Sequence, residues 1–240
     1  MAKTKGELYL IPNTLGGESV SDILAANVST IVSPLRYFAV EDLKSARRLL
    51  RKVDRTFPID ESTFFILNKR ASEKELMAMI LEILNGHSMG IISEAGCPGI
   101  ADPGASLVAL AHNHGIHVKP LVGPISFALA LMSSGFSGQR FSFHGYLPKD
   151  RKDRVKKLRD LEMENRRHGD THLFMDTPFR SMHVLEDLLN ELSDQTELCL
   201  AVNLTLPNQR IQTMTIKEWR LNAFDINKAP AVFIIGTSQH

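Results

Sequence analysis

Between Ser93 and Gly104 the chain reads S-E-A-G-C-P-G-I-A-D-P-G, which sets a hydroxyl, two carboxylates and a thiol among three glycines and two prolines. Glycine lets backbone approach a ligand closely, and proline stiffens the loop that does so. The apolar run 89–92 stops abruptly at this stretch, and a helix pattern begins with Asp102 as N-cap and Pro103 as first helical residue. A buried strand feeding such a loop at a sheet edge is a common place to bind a ligand; a sharp structural turn is the alternative. Gly104 is followed by Ala105 and Ser106 with no lysine, which excludes a phosphate-cradling G-x-x-x-x-G-K loop. The dinucleotide fingerprint G-x-G-x-x-G is also absent from the stretch.

A second candidate is the acidic pair Glu41-Asp42, between a strand pattern and a basic helix. Two carboxylates there either favour the helix dipole or serve as acid, base or substrate contact at the sheet edge. His112, His114 and His117 invite a metal reading, but their spacing crosses a helix C-cap at Gly115 and no cysteine or acidic cluster lies nearby. Cap and surface histidines are therefore the expectation, and no metal. The polar stretch 203–210, N-L-T-L-P-N-Q-R, sits between strand patterns as a ligand-contacting turn or a plain hairpin connection.

The elements that would position these groups alternate. Strands are expected at 7–11, 30–32, 37–40, 63–67 (buried), 89–92 and 116–121, and helices at 19–27, 42–53, 72–85 and 103–114. Ser72 and Glu75 form a capping box, and Gly86 ends that helix. Gly123-Pro124 opens another helix carrying Phe127, Leu131 and Met132. This is the alternation of an α/β domain with a largely parallel sheet, here residues 1–120. If its strands are parallel neighbours, the loops at 12–17, 96–104 and 123–124 emerge together at the carboxyl edge. After about residue 120 the character changes: a charged helix at 151–166, a strand at 171–175, a helix begun by Pro178, then strands at 198–203, 211–215 and 231–236. That spacing allows antiparallel pairing and reads as a mixed-sheet α+β domain over 121–240.

Composition sets the limits. With 240 residues, 43% hydrophobic and 23% charged, the chain has enough apolar material for a real core. A net charge of +1 gives no global field that demands a nucleic-acid partner. Between 149 and 168, however, nine Lys/Arg face five Asp/Glu, either a solvated helix face or a landing strip for phosphates. Two cysteines a hundred residues apart argue for a reducing compartment. With no secretory segment and no membrane-length apolar run, a soluble cytoplasmic protein is expected.

Taken together in order, S-E-A-G-C-P-G-I-A-D-P-G (93–104), P-L-V-G-P-I-S-F-A-L (120–129) and F-H-G-Y-L-P-K (143–149) closely resemble the tetrapyrrole methylase superfamily, nearest to its ribosomal-RNA-methylating branch. G-E-L-Y-L-I-P (6–12), E-D-L-K-S-A-R-R-L-L (41–50) and M-D-T-P-F-R (175–180) extend the resemblance over essentially the whole chain. The resemblance implies a two-domain α/β fold, a homodimer, and S-adenosylmethionine in a cleft between the domains. Carried over by motif, the cofactor contacts are Pro12, Ser93, Glu94, Ala95, Gly96, Ile100 and Ser126, with Asp176, Leu204 and Pro230 from the C-terminal domain. The acceptor implied is a cytidine 2′-hydroxyl in small-subunit ribosomal RNA. The chain departs from that branch in reading N-T-L-G-G at 13–17 where T-P-I-G-N is usual, and Leu43-Lys44 where E-D-T-R is usual; R-E-x-T-K is missing. N-L-T-L-P-N-Q-R looks more like the tetrapyrrole-modifying branch, whereas Gly96-Cys97-Pro98 lacks that branch's aspartate.

The chemistry implied is in-line methyl transfer, in which the nucleophile must be held about 3–3.5 Å from the methyl group. A ribose hydroxyl would gain from a base, and Glu41 or Asp42 are the candidates by position. Lys44, Arg47, Arg48, Lys149 and Arg151 are the expected phosphate contacts. Methylation of a tetrapyrrole or similar small acceptor, and a non-catalytic ligand-binding or assembly role, remain as alternatives.

Overall fold

A computed structural model of the protein describes residues 4–238. The chain forms two compact units that divide between Ile125 and Ser126.

The first unit holds β1 (Leu8–Ile11), α1 (Asn27–Val32), β2 (Tyr37–Val40), α2 (Leu43–Val53), β3 (Thr63–Ile66), α3 (Glu73–Leu84), β4 (Met89–Ile92), α4 (Ala105–Asn113) and β5 (Val118–Pro120). Its five strands are all parallel, in the order β3-β2-β4-β1-β5. Side chains alternate across the sheet, so Phe38 and Val40 join Leu49, Leu50 and Phe57 on one face. Ala39, Leu8 and Met89 join Ile80, Ile83 and Leu107 on the other. Burial on both faces is why β4, M-G-I-I, is apolar at every position. The capping box at Ser72 and Glu75 is formed as the sequence suggests.

Three local expectations for this unit are corrected. Residues 19–26 form turns rather than a helix, Asn27 instead opens α1, and 30–32 belong to α1 rather than to a strand. The V-S-T-I-V run is β-branched, but Val28 and Val32 fall one helical turn apart and both bury, so tertiary packing overrides intrinsic preference. The strand at 63–67 is not buried: β3 is an edge strand, and Ile66 is 51% exposed. Asp102 is not a cap, because α4 starts at Ala105 behind Gly104, whose φ of +141° suits only glycine.

The second unit contains α5 (Ser126–Met132), β6 (Phe141–Tyr146), α6 (Arg151–His168), β7 (Thr171–Asp176), α7 (Ser181–Glu191), β8 (Glu197–Val202), β9 (Arg210–Thr215), α8 (Ile216–Asn222) and β10 (Ala231–Gly236). The sheet order is β6-β7-β10-β8-β9; β6 and β7 are parallel, and the other neighbours antiparallel. Phe174, Phe233, Leu188 and Trp219 form its core, and the buried Trp219 indole donates to the Leu198 carbonyl at 2.8 Å. The helix expected from Pro178 begins instead at Ser181, after a turn in which the Arg180 amide donates to the Thr177 carbonyl. No helix among the described residues is long and apolar enough to cross a membrane.

Candidate active site

Because β4, β1 and β5 are adjacent and parallel, the loops after them leave the same edge of the sheet. They are tied to one another. The Asn13 amide donates to the Gly96 carbonyl at 2.8 Å, and the Gly96 amide returns to the Thr14 carbonyl at 3.3 Å. Asn13 is buried, and its side-chain nitrogen donates to the carbonyls of Ser93 (3.2 Å) and Glu94 (2.9 Å). The Cys97 thiol donates to the Pro124 carbonyl at 3.5 Å, so the third loop is joined as well. Gly123 permits this closeness: a Cβ there would lie 2.1 Å from the Pro12 Cβ. Three of the loops carrying predicted site residues also hold non-glycine residues in the left-handed region: Ala101 (φ +63°), Asn203 (+52°), Thr205 (+69°) and Lys228 (+59°). Strain of this kind, roughly 1–3 kcal/mol each, concentrates where function requires a particular backbone shape.

Beside these loops is an apolar cavity of about 560 Å³, lined by Leu10, Cys97 to Ile100, Val108 and the 120–125 segment. Its size is that of a small-molecule site. Ile100, 36% exposed, stands among its walls.

Carboxylates gather at the same edge. The Glu41 amide donates to the Ile92 carbonyl at 3.2 Å, and the Glu41 carboxylate accepts the Glu94 amide at 3.3 Å. Asp42 caps α2 by accepting the Ser45 amide at 2.7 Å. Glu94 has its carboxyl raised by partial burial and then by the charges of Glu41 and Asp42. Asp102 is half-buried, and its carboxyl is pushed up to about 6, first by burial and then by Glu41, with Lys69 offsetting part of the rise. A carboxyl pushed up to about 6 within a cluster of carboxylates at the sheet edge suits proton transfer. Sequence reading missed Asp102 by treating it as a helix cap. The signal was available, because it sits in the same post-strand loop as Glu94, opposite the loop that carries Glu41.

The remaining predicted residues divide between the units. In the first, Lys44 and Arg48 are exposed on α2, and the Arg47 guanidinium lies 5.4 Å from the Phe64 ring centroid. In the second, Asp176, Leu204 and Pro230 come together at one edge of the sheet. Asp176 pairs in register with Ala231, Ala231 with Val202, and the Asn203 amide donates to the Pro230 carbonyl at 3.0 Å. Asp176 is buried and ion-paired with Arg180. Ser126 begins α5. Lys149 is exposed ahead of α6, and Arg151 pairs with Asp187 at 2.9 Å and Glu191 at 3.1 Å. His114 and His117 meet the Leu110 carbonyl and Glu7 respectively, as cap and surface residues.

Comparison with known proteins adds the following. Residues 25–219 match the family model for tetrapyrrole (corrin/porphyrin) methylases. The chain is 33% identical over 211 residues to the ribosomal RNA small subunit methyltransferase I of Vibrio cholerae, covering 88% of this chain and 69% of that protein. The protein of the same name from Haemophilus influenzae is 30% identical over 238 residues, 98% of this chain and 80% of that one. Among solved structures, the methyltransferase CobJ superposes with a TM-score of 0.62 at 17% identity, over 97% of this chain and 94% of that one. The uroporphyrin-III-C-methyltransferase of Thermus thermophilus gives 0.56 at 16%, over 97% and 93%. At such identity these two establish the fold.

Proposed function

We propose that this chain, which belongs to the tetrapyrrole (corrin/porphyrin) methylase family and is a methyltransferase, takes its methyl group from S-adenosylmethionine and delivers it to a cytidine 2′-hydroxyl of small-subunit ribosomal RNA. The observation that carries the acceptor is similarity over 88% and 98% of this chain to relatives named for that RNA. What supports the cofactor is the three-loop cradle, where a Cβ at Gly123 would strike Pro12, with an apolar cavity of about 560 Å³ beside it. Backbone groups of Pro12 and Ser93 to Gly96, with Ile100, would hold it; the family resemblance adds Ser126, Asp176, Leu204 and Pro230 to the residues proposed for the cofactor. When bound, the cofactor supplies an electrophilic methyl on a sulfonium.

The chain's own residues then have two tasks. Backbone-lined loops, rigid through the Asn13 ties, orient the methyl group for in-line attack. A carboxylate of the sheet-edge cluster takes the hydroxyl proton as negative charge develops on oxygen. Of the cluster, Asp42 is occupied in capping α2 and Glu41 in holding the Glu94 amide. Asp102 makes no hydrogen bond among the described residues and its carboxyl is pushed up to about 6, so it joins Glu41 and Asp42 as a candidate base and leads them. Lys44, Arg47, Arg48, Lys149 and Arg151 are assigned to acceptor phosphates; the family resemblance brings with it a homodimer, and cysteine usage a cytoplasmic setting.

Calorimetric titration with S-adenosylhomocysteine tests the cofactor: saturable binding is expected, and none at millimolar ligand would overturn it. Transfer of labelled methyl from S-adenosylmethionine to unmodified small ribosomal subunits tests the acceptor, with the product mapped to a cytidine ribose. One observation favours a second reading: the stretch 203–210 resembles the tetrapyrrole-modifying branch. Methylation of an added porphyrinogen, with none of the RNA, would select it.

A further inference from the structure

A second, smaller cavity, about 150 Å³, lies in the first unit between the loop after β1 and α2. Ser45, Arg48, Leu49 and Lys52 line it at helical spacing, and residues 13–17 close it. At its floor the Glu94 carbonyl is held by the Asn13 side chain at 2.9 Å and the Ser45 hydroxyl at 3.3 Å. The space is below that of ordinary small-molecule pockets, roughly 300–1,000 Å³, and suits a single oxyanion group.

Its charges are unevenly matched. The Lys52 side chain is only 21% exposed; its ammonium donates to the Gly17 carbonyl at 3.2 Å and pairs with Glu18 at 2.9 Å. Glu18 is itself 86% exposed, and its carboxyl is held low first by Lys52 and more weakly by Arg48. The Arg48 guanidinium makes no hydrogen bond with any described residue, and neither do the amides of Leu15, Gly16 and Gly17. A mostly covered lysine side chain beside a guanidinium with no hydrogen bond among the described residues is a setting that suits an anion. A solvent-swept carboxylate is a weak one, because exposed ion pairs contribute little. A phosphate offers more acceptor oxygens and meets arginine in a fork.

We propose that this pocket seats a backbone phosphate of the acceptor strand, and that Glu18 stands in for it in the free protein and moves aside on binding. The inference rests on the RNA reading above and adds to it Lys52, Glu18 and the 13–17 loop as a register-setting contact. Glu94 belongs both to this pocket and to the carboxylate cluster, so a phosphate held here would fix which ribose faces the base. It also gives the divergent N-T-L-G-G sequence a task.

The test is fluorescence anisotropy of a fluorescein-labelled single-stranded RNA containing an unmodified cytidine, across a salt series. Arg48→Gln and Lys52→Gln should each weaken binding about tenfold and flatten the log–log salt slope by about 0.7. Glu18→Gln should tighten it several-fold, a direction that misfolding does not produce. S-adenosylhomocysteine affinity should stay at the wild-type value in all three. RNA binding of equal strength and slope in the four proteins would overturn this inference and leave the acceptor reading standing. Wild-type protein that binds S-adenosylhomocysteine but neither this RNA nor unmodified small ribosomal subunits would overturn both. Inorganic phosphate is the competitor; if it displaces RNA from wild type at micromolar concentration, the pocket serves free phosphate and the strand assignment falls.

Discussion

The carboxyl edge of the first sheet and the α6–α7 seam of the second unit each gather acidic side chains, and they treat them in opposite ways. At the seam, Asp187 is buried between Arg151 (2.9 Å) and Arg154 (2.7 Å), and Glu191 pairs with Arg151 and Arg159. Glu162, also buried, accepts from the Ser193 amide at 2.9 Å, from Thr196 and from Arg166. Every one of these acids has an arginine. At the sheet edge, Glu41, Asp42, Glu94 and Asp102 have no ion pair with an arginine among the described residues, and the carboxyls of Glu94 and Asp102 are pushed up. Matched charges hold two helices in register. Unmatched ones, on the function proposed above, are the groups to take a proton, and they weaken the fold that carries them.

The sharpest way to break this contrast is to remove one acid from each place. Asp102→Asn should lower turnover by about 10²–10⁴-fold while leaving S-adenosylhomocysteine binding intact. As base, Asp102 must be ionised, so wild-type turnover should rise with pH through about 6 and then level, and the variant should lose that limb. Stability should move the other way. The carboxyl has an ordinary value of 3.8 and lies at about 6 when folded, so the folded state holds the proton more tightly. Stability then falls as pH rises from 3.8 to 6, and the asparagine variant should escape that fall. Thermal melting at pH 4 and 7 would show it; a variant that loses stability equally at both would make Asp102 structural.

Asp187→Ala is the counterpart. It strands Arg154, whose side chain is 8% exposed, and should cost about 3–5 kcal/mol of stability. Turnover per folded molecule should be unchanged. Chemical denaturation with an active-fraction assay separates the two quantities, and a large loss of turnover in the folded fraction would erase the distinction between the regions. Glu41→Gln is subtler. Glu41 is the main charge raising Asp102, so its neutralisation should shift the acidic limb of the rate profile below 6. A limb that stays in place would mean that burial alone sets the Asp102 value. Asp42→Asn keeps an N-cap acceptor for Ser45, so it should lower turnover without disturbing α2 or cofactor binding. Equal turnover would remove Asp42 from the site.

The contrast also marks what the sequence could disclose. Strand-loop-helix alternation and a run such as M-G-I-I were enough for a parallel sheet and for loops converging at one edge, because those signals are local and repeat. Asp102 was misread for the same reason: D-P-G is a good local helix start, and only the turn at Gly104 (φ +141°) frees the carboxylate from capping. β6 passed unnoticed because its alternation is interrupted by Gly145 (φ +63°) at an irregular pairing with β7. α8 has a capping box, but its cap Thr215 also ends β9, and seven residues give little periodicity. The partners of Arg151 are 36 and 40 positions away on another helix, so its spacing resembled that of a phosphate contact with nothing to show that it was engaged.

That last residue gives the smallest effect and a useful one. Arg48 and Arg151 both belong to basic stretches, yet one guanidinium has no hydrogen-bond partner among the described residues and the other has two carboxylates. Arg151 is 63% exposed, so Arg151→Gln should cost only about 0.2–1 kcal/mol of stability, within the range of exposed pairs. Since Asp187 and Glu191 already neutralise it, its loss should change the salt slope of RNA binding less than the loss of Arg48. The two variants in one salt titration decide this. If Arg151→Gln flattens the slope as much as Arg48→Gln, arginines engaged within the fold still serve the acceptor, and the division between structural and available charge has to be redrawn.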